Sequence, residues 1–304
     1  MDFTRENESA SPERTSFLLS WLERAHVRVP SMPLPTEATL QQLPNAGRVH
    51  AFEGSELVGT MGYELRTAGP WKHGAWINVG HFGSTSDEVT DALYTELAAD
   101  LFAQDVRHHY IWLPADRDLI QPWLELGFHY MHARGLQPVR PHAEVLLPDG
   151  YAIEVGGLDA LGEAIALDSE LETVQSASPS FALSVNHDSR EEDWRETLED
   201  PTVDHLVVRH EGYVVGQALI FELGVSVGVA PKTVQLGAVT LLPEHRGRGL
   251  GTALTHSLMN IASQQGMATM ETNWRFTNRA AARHWPRAGF DLTYVRLHRE
   301  IGLS

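Results

Sequence analysis

The sequence contains no cysteine at all. Its absence excludes a disulfide scaffold, a thiolate nucleophile and zinc sites ligated by cysteine. The chain also lacks the run of about eighteen apolar residues that a membrane-spanning helix needs, and its first residues are polar and acidic, unlike a secretory signal. The sequence therefore predicts a cytoplasmic protein without membrane association, whose chemistry must use groups other than thiols.

Positive charge is scarce. The chain has 23 Lys and Arg against 40 Asp and Glu, which gives a formal net charge of −17. This charge repels nucleic acid phosphates, so nucleic acid is excluded as a partner. Solubility is the preferred explanation of the charge, with attraction of a cationic amine as the alternative. The histidine pairs His108-His109 and His129/His132 lack a convergent carboxylate, so no metal is expected.

The length of 304 residues and the hydrophobic content of 42% are enough for two domains with separate cores. Each half has the same order of predicted elements: helix, hairpin, strand, helix, strand, helix, strand. Several prolines predict that residues 30–44 are irregular. The predicted helices are 11–27, 87–106, 118–126, 158–171, 191–198, 249–264 and 278–287, and the predicted strands are 48–52, 57–66, 75–82, 109–113, 205–209, 213–223, 233–242 and 267–274.

A short repeated segment supports an internal duplication. Trp123 precedes Gly127-Phe128 just as Trp285 precedes Gly289-Phe290, at the end of the last helix of each half. Chain-breaking residues concentrate between Pro141 and Gly150. We therefore predict two α/β domains, residues 1–145 and 146–304, each built on a mixed sheet.

The segment Arg246-Gly-Arg-Gly-Leu-Gly251 lies between an apolar strand and a helix. The first amides of a helix have no partner within it, the helix dipole is positive there, and glycines let an anion approach the backbone. Arg246 and Arg248 add positive charge. The spacing fits neither a Walker loop, since no Gly-Lys-Ser/Thr follows, nor the dinucleotide fingerprint. The alternative to an anion site is that the glycines only cap the helix or allow tight packing at the turn.

Two motifs resemble the signatures of the GCN5-related N-acetyltransferase (GNAT) superfamily. Arg246, Gly249 and Gly251 match its Arg/Gln-x-x-Gly-x-Gly/Ala pyrophosphate loop, and the segment from Asn278 to Phe290 is similar to its second signature. The resemblance covers residues 151–304. It implies an α/β acyl-CoA N-acyltransferase fold, with acetyl-CoA as the cosubstrate and no metal.

The resemblance also assigns the cofactor contacts. Two central strands of this fold splay apart, and the pantetheine arm pairs with the backbone of the first. An amide near Leu241 would stabilise the oxyanion of the tetrahedral intermediate. For Asn278, the alternative role is a helix N-cap. The cofactor-binding residues implied in this way are Val239, Thr240, Leu241, Arg246, Gly247, Arg248, Gly249, Leu250, Gly251, Thr252, Asn278 and Trp285.

The catalytic residues are less well defined by the resemblance. Trp285 stands where the superfamily commonly has a tyrosine that protonates the thiolate, and an indole cannot do this. Tyr294 and His284 are the nearest substitutes, with ordinary structural roles as their alternatives. Glu271, with Asn273 on the same strand face, is the first candidate for the base that deprotonates the amine, and Glu222 is the second. Either glutamate could instead be a solvated edge charge.

The first half has no such loop. Residues 79–86 stand where the loop would be and contain neither an arginine nor a Gly-x-Gly step. The layout is similar to that of tandem acetyltransferases such as mycothiol synthase, with the N-terminal copy degenerate. We expect an N-acetyltransferase, monomeric or homodimeric, that acts on a small-molecule amine or an exposed amino group. The alternatives are a noncatalytic protein that binds or senses acyl-CoA, and an enzyme that uses a longer acyl-CoA.

Overall fold

A computed structural model describes residues 1–6, 11–67, 74–182 and 189–302 of the chain. Its contacts define two units, unit 1 with Met1–Arg134, Val225–Ala230 and Leu292–Ser304, and unit 2 with Gly135–Gly224 and Pro231–Asp291. The units describe packing, whereas the division into 1–145 and 146–304 concerns the repeat, and that division stays a prediction. No described helix is long and apolar enough to span a membrane.

The helices begin at residues that cap them. Ser11 accepts a hydrogen bond from the Arg14 amide at the start of the first helix, as an N-cap serine does. Apolar residues at helical spacing, such as Leu18 and Leu22, are buried on one side of this helix. The helices are α1 (Pro12–Arg28), α2 (Glu37–Gln41), α3 (Asp87–Ala103), α4 (Arg117–Glu125), α5 (Leu161–Ser176), α6 (Arg190–Glu199), α7 (Leu250–Gln264) and α8 (Arg279–Arg287).

Helix α2 corrects the prediction that residues 30–44 are irregular. Thr36 and Thr39 form a reciprocal capping box that starts this short helix. Pro35 precedes the cap and Pro44 follows the helix, so neither proline interrupts its hydrogen bonds.

The strands form mixed parallel and antiparallel sheets in both units, which confirms the predicted fold class. Their bounds are β1 (Asp2–Glu6), β2 (Gly47–Glu53), β3 (Glu56–Arg66), β4 (Gly74–Ile77), β5 (Phe82–Ser84), β6 (His108–Pro114), β7 (His129–Pro138), β8 (Tyr151–Val155), β9 (Val203–His210), β10 (Tyr213–Glu222), β11 (Thr233–Leu241), β12 (Thr269–Arg275) and β13 (Asp291–Glu300).

In unit 1, β1, β2 and β3 are antiparallel neighbours, and β4 pairs with β3 on one side and in parallel with β6 on the other. The last strand of the chain, β13, pairs antiparallel with β6. The single strand predicted over 75–82 is wrong. It is split into β4 and β5 by a turn in which the His81 amide donates to the Asn78 carbonyl and Gly80 has a φ of +86°.

In unit 2, β8, β9, β10 and β11 form an antiparallel series, and β12 is parallel to β11. Helices α5 and α6 cover one part of this sheet through a cluster that includes Ala164, Trp194 and Leu219. The apolar side of α7, with Leu254, Leu258 and Met259, is fully buried. This packing fixes the helix start that follows β11.

Candidate cofactor-binding site

The parallel pair β11 and β12 stays together over only part of its length. Residues Thr233 to Leu236 pair with Thr269 to Thr272. Beyond this point β11 continues to Leu241 and β12 to Arg275, but the described residues of these two strands no longer pair with each other. The sheet therefore opens after Leu236, as the resemblance implies.

A bulge lies at the start of this opening. The register between β10 and β11 shifts between Gln217 and Leu219, and Ala238 opposite has a φ of +50°. A positive φ is strained for a residue with a side chain, and such strain persists only where the surroundings impose it. The bulge bends β11 and leaves Gly237 to Val239 partly exposed inside a sheet.

Beyond the bulge, one edge of β11 remains paired. Thr240 and Leu241 lie opposite Gln217 and Gly216 of β10. The other edge of Val239, Thr240 and Leu241 has no strand partner in the described chain. These residues, which the sequence assigned to the cofactor, thus present backbone groups that an extended ligand could pair with.

The turn that follows β11 leads to an uncapped helix N-terminus. Gly247 and Gly249 have φ values of +75° and +83°, which favour glycine. Gly249 occupies the N-cap position of α7, and no side chain caps the helix there. Among the residues that the structure describes, the backbone amides of residues 247–252 donate to no acceptor. The segment is therefore open to an anion.

The Arg246 side chain is held by contacts with the end of β11 and with α5. Its Nε donates to the Leu241 carbonyl at 2.8 Å, and its guanidinium pairs with Glu170 of α5 at 3.0 Å. The Arg246 side chain remains 42% exposed. These bonds fix the turn between β11 and α7 and leave phosphate binding mainly to the amides. Sequence reasoning missed Glu170, because no local pattern links residues so far apart in the chain.

The corresponding helix start in the first half is closed. The Ser86 side chain accepts from the Val89 amide at 3.3 Å, so one of the first-turn donors of α3 is already used. Asp87 and Glu88 in the same turn are negative, and they would repel an anion. That the N-terminal copy has no pyrophosphate loop stays a prediction.

Asn278 and Trp285 of the second signature make contacts that stabilise the protein itself. Asn278 caps α8, because its Oδ1 accepts from the Ala281 amide at 3.1 Å. Trp285 is buried and lies edge-on against Phe290, with ring centroids 5.4 Å apart. Asn278 therefore has the helix N-cap role that was named as its alternative. The cofactor contacts of Asn278 and Trp285 stay predictions.

His284 lies beside the first turn of α7. Its Cε1 is 3.6 Å from the point that a Cβ on Gly251 would occupy. Burial lowers the pKa of His284 below its usual value, so the imidazole is neutral near pH 7. The role of His284 as a proton donor stays a prediction.

The two candidate bases lie on the two strands that flank β11, opposite neighbouring residues of that strand. Glu271 on β12 is 2% exposed, pairs with Gln235 and immediately precedes the last paired residue, Thr272. Glu222 is exposed and lies opposite Val234, near the beginning of β11. The opening between β11 and β12 therefore starts beside Glu271, whereas Glu222 lies on β10, along the other edge of β11. Asn273, two residues after Glu271, is half-buried on the part of β12 that no longer pairs with β11.

Tyr294 belongs to unit 1, whereas the turn at 246–251 belongs to unit 2. It lies on β13 opposite Pro114, and its side chain is fully buried. Its hydroxyl is 3.3 Å from the point that a Cβ on Gly228 would occupy. The role of Tyr294 as a proton donor stays a prediction.

Part of the chain is similar to known proteins. Residues 171–290 match the Acetyltransferase (GNAT) family. Uncharacterized N-acetyltransferases of Mycobacterium tuberculosis and Mycobacterium bovis are 29% identical to the chain over 104 residues, which is 34% of this chain. The matched part spans 63% of the length of these curated relatives.

Two solved structures are similar over nearly the whole chain. A GCN5-related N-acetyltransferase from Sphaerobacter thermophilus has a TM-score of 0.66 at 15% identity and covers 99% of this chain and 96% of its own. A tandem GNAT protein from the clavulanic acid biosynthesis pathway has a TM-score of 0.55 at 14% identity, with complete coverage of both chains. The tandem fold that the sequence predicted is confirmed.

Proposed function

We propose that unit 2, which contains most of the residues that match the Acetyltransferase (GNAT) family, transfers the acetyl group of acetyl-CoA to a primary amine. The observation that carries the proposal is the uncapped start of α7 directly after the open end of β11. The helix start suits a pyrophosphate and the strand edge suits an extended amide-containing arm, and the two are joined by one short turn.

In the proposed reaction, the amine attacks the thioester carbonyl directly. A C–N bond forms, the C–S bond breaks, and an amide near Leu241 stabilises the oxyanion of the tetrahedral intermediate. The ammonium form must first lose a proton, which Glu271 accepts directly or through water. The thiolate takes a proton from solvent or from another group of the protein, since the buried indole of Trp285 cannot supply one.

The acceptor is a small-molecule amine or an exposed amino group. Its identity depends on the side chains that line the acceptor cleft, not on the turn that holds the cofactor. Glu170 and Glu172 of α5, which packs against β11, are paired with Arg246 and Arg190, so their charge gives no preference for a cationic acceptor.

A noncatalytic protein that binds acyl-CoA is the second candidate. One observation favours it: Trp285 is buried where the superfamily commonly has a proton-donating tyrosine. Binding would then use the same turn and strand edge, without turnover.

Thiol release from acetyl-CoA in the presence of a panel of primary amines separates the two candidates. Because the chain contains no cysteine, a thiol reagent reports only the CoA that is released. We expect amine-dependent release for at least one acceptor class. Tight binding of acetyl-CoA without release across the panel would instead support the noncatalytic candidate.

A further inference from the structure

The last residue of β12 is a half-buried arginine that has no carboxylate beside it. Arg275 donates one hydrogen bond, from Nε to Gln175 Oε1 of α5 at 3.4 Å, which is long for such a bond. It forms no ion pair with any Asp or Glu that the structure describes, and the sequence from Thr272 to Phe290 contains neither residue. The chain, acidic as a whole, therefore leaves this cation without a counter-charge.

The Arg275 guanidinium keeps its charge at this position. Burial lowers its pKa, but the ordinary pKa of arginine is so high that the group stays protonated at neutral pH. A cation that is partly removed from water without a paired anion is unfavourable. The planar donors of a guanidinium match the two oxygens of a carboxylate. Arg275 is therefore suited to an anionic group of a ligand.

The same face of β12 also carries hydrogen-bond acceptors. Side chains alternate between the faces of a strand, so Glu271, Asn273 and Arg275 share one face, at intervals of about 7 Å. Trp274 lies on the other face, against Gly135. Asn273 Oδ1 is buried and makes no hydrogen bond to any residue that the structure describes. The face thus offers two acceptors followed by a cationic donor.

This face borders the opening between β11 and β12. The pairing of the two strands ends at Leu236 and Thr272, so Asn273 and Arg275 lie on the part of β12 that has left β11. The contact of Arg275 with Gln175 places the face on the side of α5, and α5 also packs against β11. An acceptor whose amine lies at the opening beside Glu271 can therefore extend along this face.

The end of β12 is held by contacts with the segment that follows α5. Ser180 Oγ and Thr277 Oγ1 form a hydrogen bond of 2.6 Å, and Thr277 follows Arg275 by two residues. The Ala182 amide donates to the Gln175 carbonyl at 2.9 Å. Both sides of the contact between Arg275 and Gln175 are thus fixed. A group that is held in this way can position a substrate.

We propose that the acceptor is a primary amine that also carries a carboxylate, and that Arg275 binds this carboxylate. Asn273 Oδ1 accepts a hydrogen bond from the amino group, which lies beside Glu271. The two acceptors and the cation of the face complement the two ends of such an amino acid. The inference rests on the proposed function, since it assumes that unit 2 acetylates an amine at the opening between β11 and β12.

The test uses the thiol-release assay with the full chain and compares amino acids with their primary amides. The acceptors are straight-chain ω-amino acids of increasing length, beginning with glycine. For the best acceptor, wild type should have a kcat/KM about tenfold or more above that of its amide, because the amide lacks the charge-assisted contact. Arg275→Gln should lower the value for the amino acid to that of the amide, and should leave the amide unchanged. The loss should fall on KM, because the carboxylate takes no part in the bond change.

Three further variants separate this role from a general effect. Arg275→Lys keeps the charge without the planar donors and should retain part of the preference. Asn273→Ala should raise KM for amino acids and amides alike, because both carry the amino group. The matched control is Arg283→Gln, at an exposed arginine of unit 2 whose Nε donates to the Arg279 carbonyl. It should change neither series.

Equal kcat/KM of wild type for amino acids and amides would overturn the inference and leave the proposed function in place. An Arg275→Gln variant that keeps the preference, or that weakens both series alike, would also overturn it. A higher kcat/KM for aminophosphonates than for amino acids of the same length would overturn the choice of a carboxylate. If no amine of any class releases CoA, the proposed function itself fails and the inference falls with it.

Discussion

Gly249 and Gly212 are two glycines of unit 2 that differ in position but share a backbone conformation. Their φ values are +83° and +85°, and a Cβ at either position would meet no atom within 4 Å. A valine at either site is strained by about 1–2 kcal/mol, since the left-handed region disfavours side chains. Gly249→Val should also abolish acetyl-CoA binding, whereas Gly212→Val, in the β9–β10 hairpin, should not. Urea unfolding and titration calorimetry of both variants measure the two effects.

The test is the difference in acetyl-CoA binding between these two variants. Retention of acetyl-CoA binding in Gly249→Val would contradict the assignment of the turn at 246–251, because strain alone is matched in the control. Equal loss of binding in both would point to a general loss of folded protein.

Glu271→Gln keeps the size of a side chain that is 2% exposed and removes its ability to accept a proton. If Glu271 is the base, kcat should fall by about 10²- to 10⁴-fold, and the rise of kcat with pH should flatten. Glu222→Gln, at an exposed site on β10, is the control and should leave the profile unchanged. Rate measurements between pH 6 and 9 decide this, and an unaltered profile for Glu271→Gln would remove that residue as the base.

At this scale the sequence could predict residues whose role is set by local geometry. Gly249 and Asn278 follow from turn and cap chemistry within a few positions of the chain. Glu170 could not be predicted, because its partner Arg246 is brought to it by packing between distant segments.

Among the elements, α3 and α7 occupy matching places in the two halves and differ in how they start. Ser86 caps α3, and Ser86→Ala should lower the free energy of unfolding by about 1 kcal/mol. Acetyl-CoA affinity should remain that of wild type, since the donor that the cap satisfies takes no part in binding. A large drop in affinity, measured by titration calorimetry, would show that the first half does contribute a cofactor site.

The elements that the sequence predicted well are those with a strong period and a clear cap, such as α1 and α7. The elements that it missed depend on fewer residues. Helix α2 has only five residues, and its capping box lies inside a proline-rich segment. The break between β4 and β5 requires the turn at Gly80. This glycine lies within an apolar run whose pattern predicts a single strand.

For the molecule as a whole, buried histidines predict how stability depends on pH. Burial lowers the pKa of His109 to about 4, and this side chain lies against the Tyr94 hydroxyl at 2.8 Å in unit 1. The pKa in the folded state is below the unfolded value of about 6.5, so the unfolded chain binds the proton first. Stability is complete above pH 6.5 and is lost as the pH falls from 6.5 toward 4, by about 3 kcal/mol for this group.

Urea unfolding of wild type and His109→Gln at pH 7.5 and pH 5 measures this contribution. The variant should be less stable at pH 7.5 and should lose less stability on acidification than wild type. The same loss in both proteins would contradict the assignment of the pH dependence to His109.

The placement of β13 also belongs to this scale. The last strand, β13, pairs with β6, whose residues precede it by about 180 positions. The sequence predicted a final strand for each half but could not predict its partner, because strand pairing over such distances is set by the packing of the complete chain.

The most direct test of the central claim follows the backbone amide signals of the ¹⁵N-labelled protein during titration with acetyl-CoA. We predict that the largest shifts fall on residues 247–252 and on Val239 to Leu241, while the start of α3 at residues 86–90 stays unchanged. Shifts confined to the start of α3, or saturation with acetyl-CoA that leaves residues 247–252 unmoved, would contradict the assignment of the cofactor to unit 2.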